Sequence, residues 1–427
     1  MFPIAFSEFT LPNGLHCIVH ENHTVPIVAI DLWYHVGSKN ERPDRTGFAH
    51  LFEHLMFQGS RNVGKTEHFA YIQRAGGTLN ASTNEDRTNY FETLPSNQLE
   101  LALWLESDRM LSLSITAENF ENQRQVVKEE RRMRYDNAPY GTVYEHLHRR
   151  AYFQHPYRWI TIGSMEHLDA ASLEDVQEFF RTYYVPNNAV LVLSGDVTPE
   201  QAQKAVERYF GDIPRGSDIP RPSDYDLPLT TEVRDTIYDN VQLAGLFIAY
   251  RICDVRNPDA DVLGVISRIL SDGRSSRLYK NLVHTAQLAQ SISTYAAPGE
   301  HPGLFYITAI ATQTSHLAQL EREIDAELAR LIRGDISEHE LQKAKNSYEM
   351  SLLRSLSTAI GVADNLAFFH TFFGNAAEIN REMMRAEKVS LEDVQRVAQR
   401  YFANAGRVVL HWLPKNNARL TVSLAAS

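Results

Sequence analysis

His50-Leu51-Phe52-Glu53-His54 sets two imidazoles four residues apart with a carboxylate between them. On a helix, residues i and i+4 stand one above the other, so both rings can face one point. Two such rings suit a single tetrahedral Zn2+ bound through ring nitrogens. Glu53, three residues after His50, falls beside the same metal. There it could take a proton from a zinc-bound water attacking a carbonyl, while zinc lowers the pKa of that water and polarises the amide. In 427 residues of this composition the pattern arises by chance in about one chain in twenty or thirty. Flanking Phe48, Leu51, Phe52 and Leu55 set the segment against a core, which disfavours two surface histidines beside an acid.

A catalytic zinc site needs a third protein ligand and leaves its fourth position to water. No third histidine lies close by, so a distant carboxylate is expected. A helical pattern over 116–135 offers Glu129 and Glu130. Glu130 shares a helix face with Phe120, Gln123 and Val127, and Glu129 shares one with Val126 and Met133. Periodicity alone does not choose between them.

The elements that must position these residues follow from the patterning. Residues 27–36 read as a strand, 46–58 and 66–75 as helices, and 88–94 as a strand. Helical patterns follow at 98–113 and 116–135. Thr116 stands at an N-cap position, with Glu118 and Glu121 in the first turns beyond it. Farther on, 243–252 and 304–311 read as strands, and 259–271, 315–333 and 337–356 as helices. Strands and helices mix without strict βαβ alternation, which indicates an α+β fold with mostly antiparallel sheets packed by helices.

The chain also contains a concealed duplication. Ser172-Leu173-Glu174-Asp175-Val176-Gln177 recurs identically at Ser390-Leu391-Glu392-Asp393-Val394-Gln395, with Tyr183 matching Tyr401 and the strand-like 189–193 matching 407–411. Each copy reads as a Ser-capped helix leading into a buried strand. A Pro-, Gly- and Asp-rich stretch beginning at Gly211 reads as a linker. The expected organisation is a zinc-bearing domain over 1–213, a linker over 214–229, and a homologous domain over 230–427. With an offset near 215, Val265, Arg268 and Ile269 stand against His50, Glu53 and His54. One zinc per chain is therefore expected.

Composition narrows the partners. With 42 Lys plus Arg against 53 Asp plus Glu, the net charge is −11. A nucleic-acid-binding protein would show a basic stripe, and an acidic surface suits a peptide ligand better. Two cysteines, Cys17 and Cys253, exclude a disulfide framework. No apolar run approaches the roughly 18 residues of a membrane helix. The first residues lack the basic and apolar regions of a signal peptide. The expected location is cytoplasmic, with the periplasm left open.

The segment Gly47-Phe48-Ala49-His50-Leu51-Phe52-Glu53-His54-Leu55-Met56-Phe57, followed by Leu79-Asn80-Ala81-Ser82-Thr83 and Thr88-Asn89-Tyr90-Phe91, resembles the pitrilysin/insulinase family of inverted-motif zinc peptidases. The likeness is greatest to short members related to mitochondrial processing peptidase. The resemblance implies a third zinc ligand seven residues after a Glu-Arg pair. Here Gln123-Arg124 stands at that pair, which selects Glu130, with Glu129 as the fallback. It implies that the strand around Asn80 and Ala81 lies beside the zinc and pairs with an extended peptide. Two departures stand out. Gln123 replaces a glutamate near the metal, removing a negative charge beside it. His284 and Gln290 stand where self-sufficient relatives carry an Arg and a Tyr that hold substrate and stabilise the oxyanion, a contribution of a few kcal/mol.

The function implied is that of a zinc endopeptidase subunit, with His50, His54 and Glu130 on the metal and Glu53 as general base. A homologous partner chain would supply the Arg/Tyr pair in a heterodimer. The alternatives are a self-sufficient homodimer that holds substrate with residues such as His284, and a non-catalytic scaffold subunit of the same fold.

Overall fold

The structure, a computed structural model, describes residues 3–221, 226, 228–403 and 406–415. Part of the 214–229 linker and the residues after 415 lie outside the described ones. The chain forms two compact units, one made of 1–131, 159–223 and 353–381, the other of 132–158, 224–352 and 382–427. The compact units are assembled from interleaved segments of the chain.

The first unit is built on six strands: β1 (Ser7–Thr10), β2 (His16–Glu21), β3 (Ile27–Tyr34), β4 (Thr78–Thr83), β5 (Thr88–Pro95) and β6 (Ala189–Gly195). Their order is β1-β2-β6-β3-β5-β4, which leaves β4 at an edge. β2 and β6 run parallel, and the remaining pairs are antiparallel. β3 carries an unbroken run, Ile-Val-Ala-Ile-Asp-Leu-Trp-Tyr, and is buried from Val28 to Tyr34. A strand without alternation needs cover on both faces. The helices that pack on the unit's strands include α1 (Phe48–Leu55), α2 (Glu67–Arg74) and α3 (Leu99–Ser112), while α4 (Ala117–Arg131) packs on α1.

Much of the remaining cover comes from the far end of the chain. The helix Ala359–Phe373 packs on β2, β3, β5 and β6. It is capped by Thr358, whose Oγ1 accepts the Gly361 N–H, and it ends at Gly374 with φ 69°, the left-handed closing position that glycine tolerates. Its Phe372 meets Trp33 and His35 edge-on, and its His370 stacks on His16 of β2 with ring centroids 3.8 Å apart. This helix is apolar around most of its circumference, so its burial is legible in sequence and the sheet it covers is not.

The stacked pair predicts a pH dependence of stability. Burial, and then the neighbouring His16, push His370 down to about 4, and burial also lowers His16. An unfolded histidine titrates near ~6.5. Between the two values the unfolded chain binds more protons than the folded one, so stability falls as pH drops through that window. The urea midpoint of the wild-type chain is expected to fall between pH 7 and pH 5, and to fall less in His370→Phe. Equal falls in both would remove His370 as a cause.

The second unit repeats the plan with β7 (Val233–Asp239), β8 (Gly245–Arg251), β9 (Ala289–Ala297), β10 (Leu304–Ala311) and β11 (Arg407–Pro414), in the order β7-β11-β8-β10-β9. β7 and β11 are parallel, as β2 and β6 are. The repeated hexapeptide opens a helix in each copy, Leu173–Tyr183 and Leu391–Phe402. In both, the serine Oγ accepts the backbone N–H of the aspartate three residues on, and that aspartate accepts the serine N–H. This reciprocal cap is what the serine and aspartate of the repeat encode. One core cluster lies under Asp259–Ser271 and its neighbours, and a second centres on Trp412, Phe247 and Leu147. In the second cluster the helix Val143–Ala151 packs on β8 and β11. The fold is thus α+β, with two homologous sheet-and-helix units, as the patterning implies.

Most expected elements fall where the sequence places them, and 259–271 and 304–311 match residue for residue. The segment 46–58 is helical only over Phe48–Leu55, because Gly47, at φ 95°, starts the helix abruptly. The pattern over 116–135 ends as an α-helix at Arg131 and opens into a wider turn over Arg132–Asp136. Thr116 caps it as expected, its Oγ1 accepting the Asn119 N–H. Among the described residues no helix is long and apolar enough to cross a membrane.

Candidate active site

Helix α1 is positioned by the loop that precedes it. Gly47 adopts φ 95°, and a Cβ there would stand 2.7 Å from the Ile162 carbonyl oxygen, so both the backbone and the close approach require glycine. The buried Glu41 carboxylate accepts the N–H groups of Gly47 and Ala49 at 3.0 and 2.8 Å. It thereby covers N–H groups that the first turn leaves without helical partners. Burial pushes Glu41 up to about 8, opposed by those backbone hydrogen bonds. Phe48, Ala49, Leu51, Phe52 and Leu55 form the buried face, and Phe52 stacks on Phe179 and Tyr184. That anchoring leaves His50, Glu53 and His54 on the other side.

There the histidine rings lie 4.8 Å apart between centroids. Glu130 Oε2, on α4, lies 3.3 Å from His54 Nε2 and 3.6 Å from His50 Nε2. The three side chains are each largely shielded from solvent, and their ligand atoms fall within 4.8 Å of one another. Zinc bonds of about 2.0–2.1 Å at a tetrahedral angle separate ligand atoms by about 3.3 Å. The two carboxylate–imidazole spacings sit at or just beyond that value, longer than most N–H···O hydrogen bonds. Two neutral nitrogens and one carboxylate also suit zinc chemically, so the residues fit the ion.

Packing sets Glu129 and Glu130 apart. Phe120, Gln123 and Val127 are buried on α4, and α4 packs on α1. Glu130 continues that stripe. Glu129 is exposed, on the side of Val126 and Met133, which are 42% and 65% exposed. Gln123 is buried on the Glu130 face.

Glu53 projects toward β4. Its Oε2 accepts a hydrogen bond from Thr83 Oγ1 at 2.7 Å. Burial lifts its carboxyl above the ordinary range and the Glu130 charge adds to that, while the Thr83 hydroxyl and the charges of His54 and Arg87 pull it down. On the same strand Asn80 is exposed and Ala81 is buried, and Asn80 Oδ1 accepts the Ala81 N–H at 2.9 Å. The resemblance implies a place beside the site for Asn80 and Ala81 and gives Thr83 none. Its signal was present, a hydroxyl two residues beyond Ala81 and so on the same strand face, but a strand pattern does not reveal which helix side chain it meets. His284 and Gln290 belong to the second unit. His284 is exposed in the turn Tyr279–Thr285, and Gln290 is exposed near the start of β9.

Two other groupings could be mistaken for metal sites. His68, Glu92 and Glu106 are buried together, but the Arg109 guanidinium already hydrogen-bonds Glu106 and lies near Glu92, a cation in the place a metal would take. Glu8, His16 and His370 also converge, yet the two rings stack within 13° of parallel. One ion cannot lie in two stacked ring planes. His146 and His148 make separate contacts, His148 to the Tyr157 carbonyl and the Tyr306 hydroxyl, and His146 to Arg150. All three clusters of ligand-type side chains among the described residues belong to the first unit, and His50, His54 and Glu130 are the one of them whose geometry suits an ion.

A helix bearing His-x-x-Glu-His opposite a distant glutamate, on one of two homologous sheet-and-helix units, is what a metallopeptidase with an inverted zinc motif presents. Two family descriptions match in succession, "Insulinase (Peptidase family M16)" over residues 17–164 and "Peptidase M16 inactive domain" over 170–348. The zinc protease PqqE of Helicobacter pylori is 30% identical over 92% of this chain and 89% of its own. The probable mitochondrial-processing peptidase subunit beta of Arabidopsis thaliana is 24% identical over 92% of this chain and 75% of its own. The solved structure of a protease from Helicobacter pylori superposes with TM-score 0.93 at 28% identity, covering 97% of this chain and all of that one. This chain belongs to peptidase family M16, the insulinase family.

Proposed function

We propose that this chain is the zinc-bearing catalytic subunit of an endopeptidase that hydrolyses extended peptides. The observation that carries the reading is the convergence of His50, His54 and Glu130 at zinc-ligand spacing, with Glu53 on the same helix. One Zn2+ held there would lower the pKa of the attacking water and polarise the scissile carbonyl. Glu53 accepts a proton from that water at the carboxylate oxygen not engaged by Thr83, and returns it to the leaving amine. Because β4 is an edge strand, an extended peptide can add to it through backbone hydrogen bonds that demand no single sequence. Asn80 Oδ1 holds the Ala81 N–H until a peptide carbonyl takes over that donor, which frees the Asn80 amide for the substrate backbone.

His284 and Gln290 stand where the resemblance implies an Arg/Tyr pair, so the stabilisation of the oxyanion is assigned to a homologous partner chain. The description of 170–348 as an inactive domain agrees with one zinc per chain. In the same reading, 1–213 is the zinc-bearing half of the repeat and 230–427 the metal-free half, joined by 214–229. The test is zinc analysis of the purified chain, followed by hydrolysis of unstructured peptides by the chain alone and with a homologue that carries the Arg/Tyr pair. One zinc per chain and activity raised at least about 100-fold by the homologue are expected, the size of a lost oxyanion-stabilising contact. Equal activity alone and together would replace the heterodimer with a self-sufficient homodimer. No zinc and an inactive mixture would leave a scaffold subunit.

A further inference from the structure

Glu53 is half-buried, and its side chain must present one oxygen to the reacting water in a fixed direction. A rotatable carboxylate on a two-turn helix does not achieve this by itself. The structure supplies one restraint across to another element: Thr83 Oγ1 donates to Glu53 Oε2 at 2.7 Å. Thr83 is the last residue of β4 and pairs with Thr88 of β5, so its own position depends on the turn that follows.

That turn is held at several points. Asn84 Oδ1 accepts the N–H groups of Asp86 and Arg87, both at 2.8 Å. The Asn84 and Glu85 carbonyls accept the N–H groups of Ser38 and Lys39 at 3.1 and 3.0 Å. The buried Lys39 ammonium donates to Asp86 at 2.8 Å. Gly37 lies so close beneath that a Cβ there would stand 2.4 Å from the Asn84 carbonyl oxygen. The residues clamping the turn, 37–39, lead directly to Glu41, which caps α1. One loop therefore fixes both the helix that carries Glu53 and the strand end that carries Thr83.

We propose that Thr83 is a positioning residue that orients the Glu53 carboxylate, so that the peptide-pairing strand β4 and the proton-accepting group move as one body. It holds one carboxylate oxygen and leaves the other facing the reacting water. The inference rests on the zinc-peptidase reading for its consequence in turnover and on geometry alone for the orientation itself. A threonine with a purely structural role at a strand end would be replaceable by isosteric valine.

The test compares Thr83→Val and Thr83→Ser with the wild-type chain. In the zinc-loaded chain assembled with its partner, Thr83→Val is expected to lower kcat about 10- to 100-fold, the cost of a misplaced reacting group. KM should stay within about threefold, because the β4 backbone is retained, and Thr83→Ser should restore most of kcat. Zinc content and melting temperature should match wild type in both variants. Unchanged kcat in Thr83→Val, or no rescue by serine, would overturn the proposal. Crystal structures of the variants read the carboxylate without any turnover. A Glu53 side chain that turns or becomes multiply ordered in Thr83→Val supports the proposal, and one that keeps its wild-type direction overturns it even if the chain proves to be no peptidase. Failure of the zinc-peptidase reading itself would appear separately, as absent zinc or as full activity in a Glu53 variant.

Discussion

Replacing Glu53 by glutamine is expected to leave zinc bound and to lower peptide hydrolysis about 10²- to 10⁴-fold, the usual span for a general base. The separation of these two effects follows from the site. Glu53 shares α1 with His50 and His54, but its carboxylate hydrogen-bonds Thr83, while the proposed zinc ligands are the two imidazoles and Glu130. A glutamine amide can still accept the Thr83 hydroxyl through its oxygen, so the helix and the strand should keep their places. It cannot take up a proton near neutral pH. The measurement is zinc stoichiometry together with kcat on an unstructured peptide, made in the assembled pair. A variant that retained zinc and hydrolysed peptide within threefold of wild type would remove Glu53 from the mechanism.

The second large effect separates two adjacent glutamates. Glu130→Gln is expected to weaken zinc binding by more than about 100-fold, beyond the 10- to 100-fold typical of groups that only orient a ligand. Peptide hydrolysis should be lost at ordinary zinc concentrations. Glu129→Gln should bind zinc and cleave peptide as wild type does, because Glu129 is exposed and stands off the face of α4 that packs on α1. Competition with a chelator of known affinity reads both variants. The opposite pattern would assign the third ligand to Glu129 and require a rotation of α4 by about a quarter of a turn, since neighbouring helix residues stand ~100° apart.

Local chemistry made much of this legible in advance. The i, i+4 histidines with an intervening glutamate are a property of one turn of helix, and α1 presents them as the spacing implies. The repeated Ser-Leu-Glu-Asp-Val-Gln encodes a reciprocal cap that needs no distant contact, and it forms in both copies. The β-rich run over 27–36 was legible as a strand, while the burial of β3 from Val28 to Tyr34, Asp31 included, was not. Less was legible where two elements meet. Thr83 reads as an ordinary strand residue until Glu53 is placed beside it. The stacked His16 and His370 are 354 positions apart, and no local pattern links them.

By itself, then, the sequence determined a metal-capable helix, the chemistry that its residue types permit, the duplication, and the α+β character of each copy. These rest on periodicity, capping and side-chain chemistry, which act over a few residues. Periodicity left open which glutamate meets the histidines, and Glu130 came only from the resemblance; in the tertiary structure the two differ by one helical step, and the buried stripe of α4 turns Glu130 toward them. Only the tertiary structure assigned Val143–Ala151 from the first copy to the second sheet and Ala359–Phe373 from the second copy to the first. An apolar helix encodes that it must be covered, while the surface that covers it is chosen by shape and by the whole path of the chain.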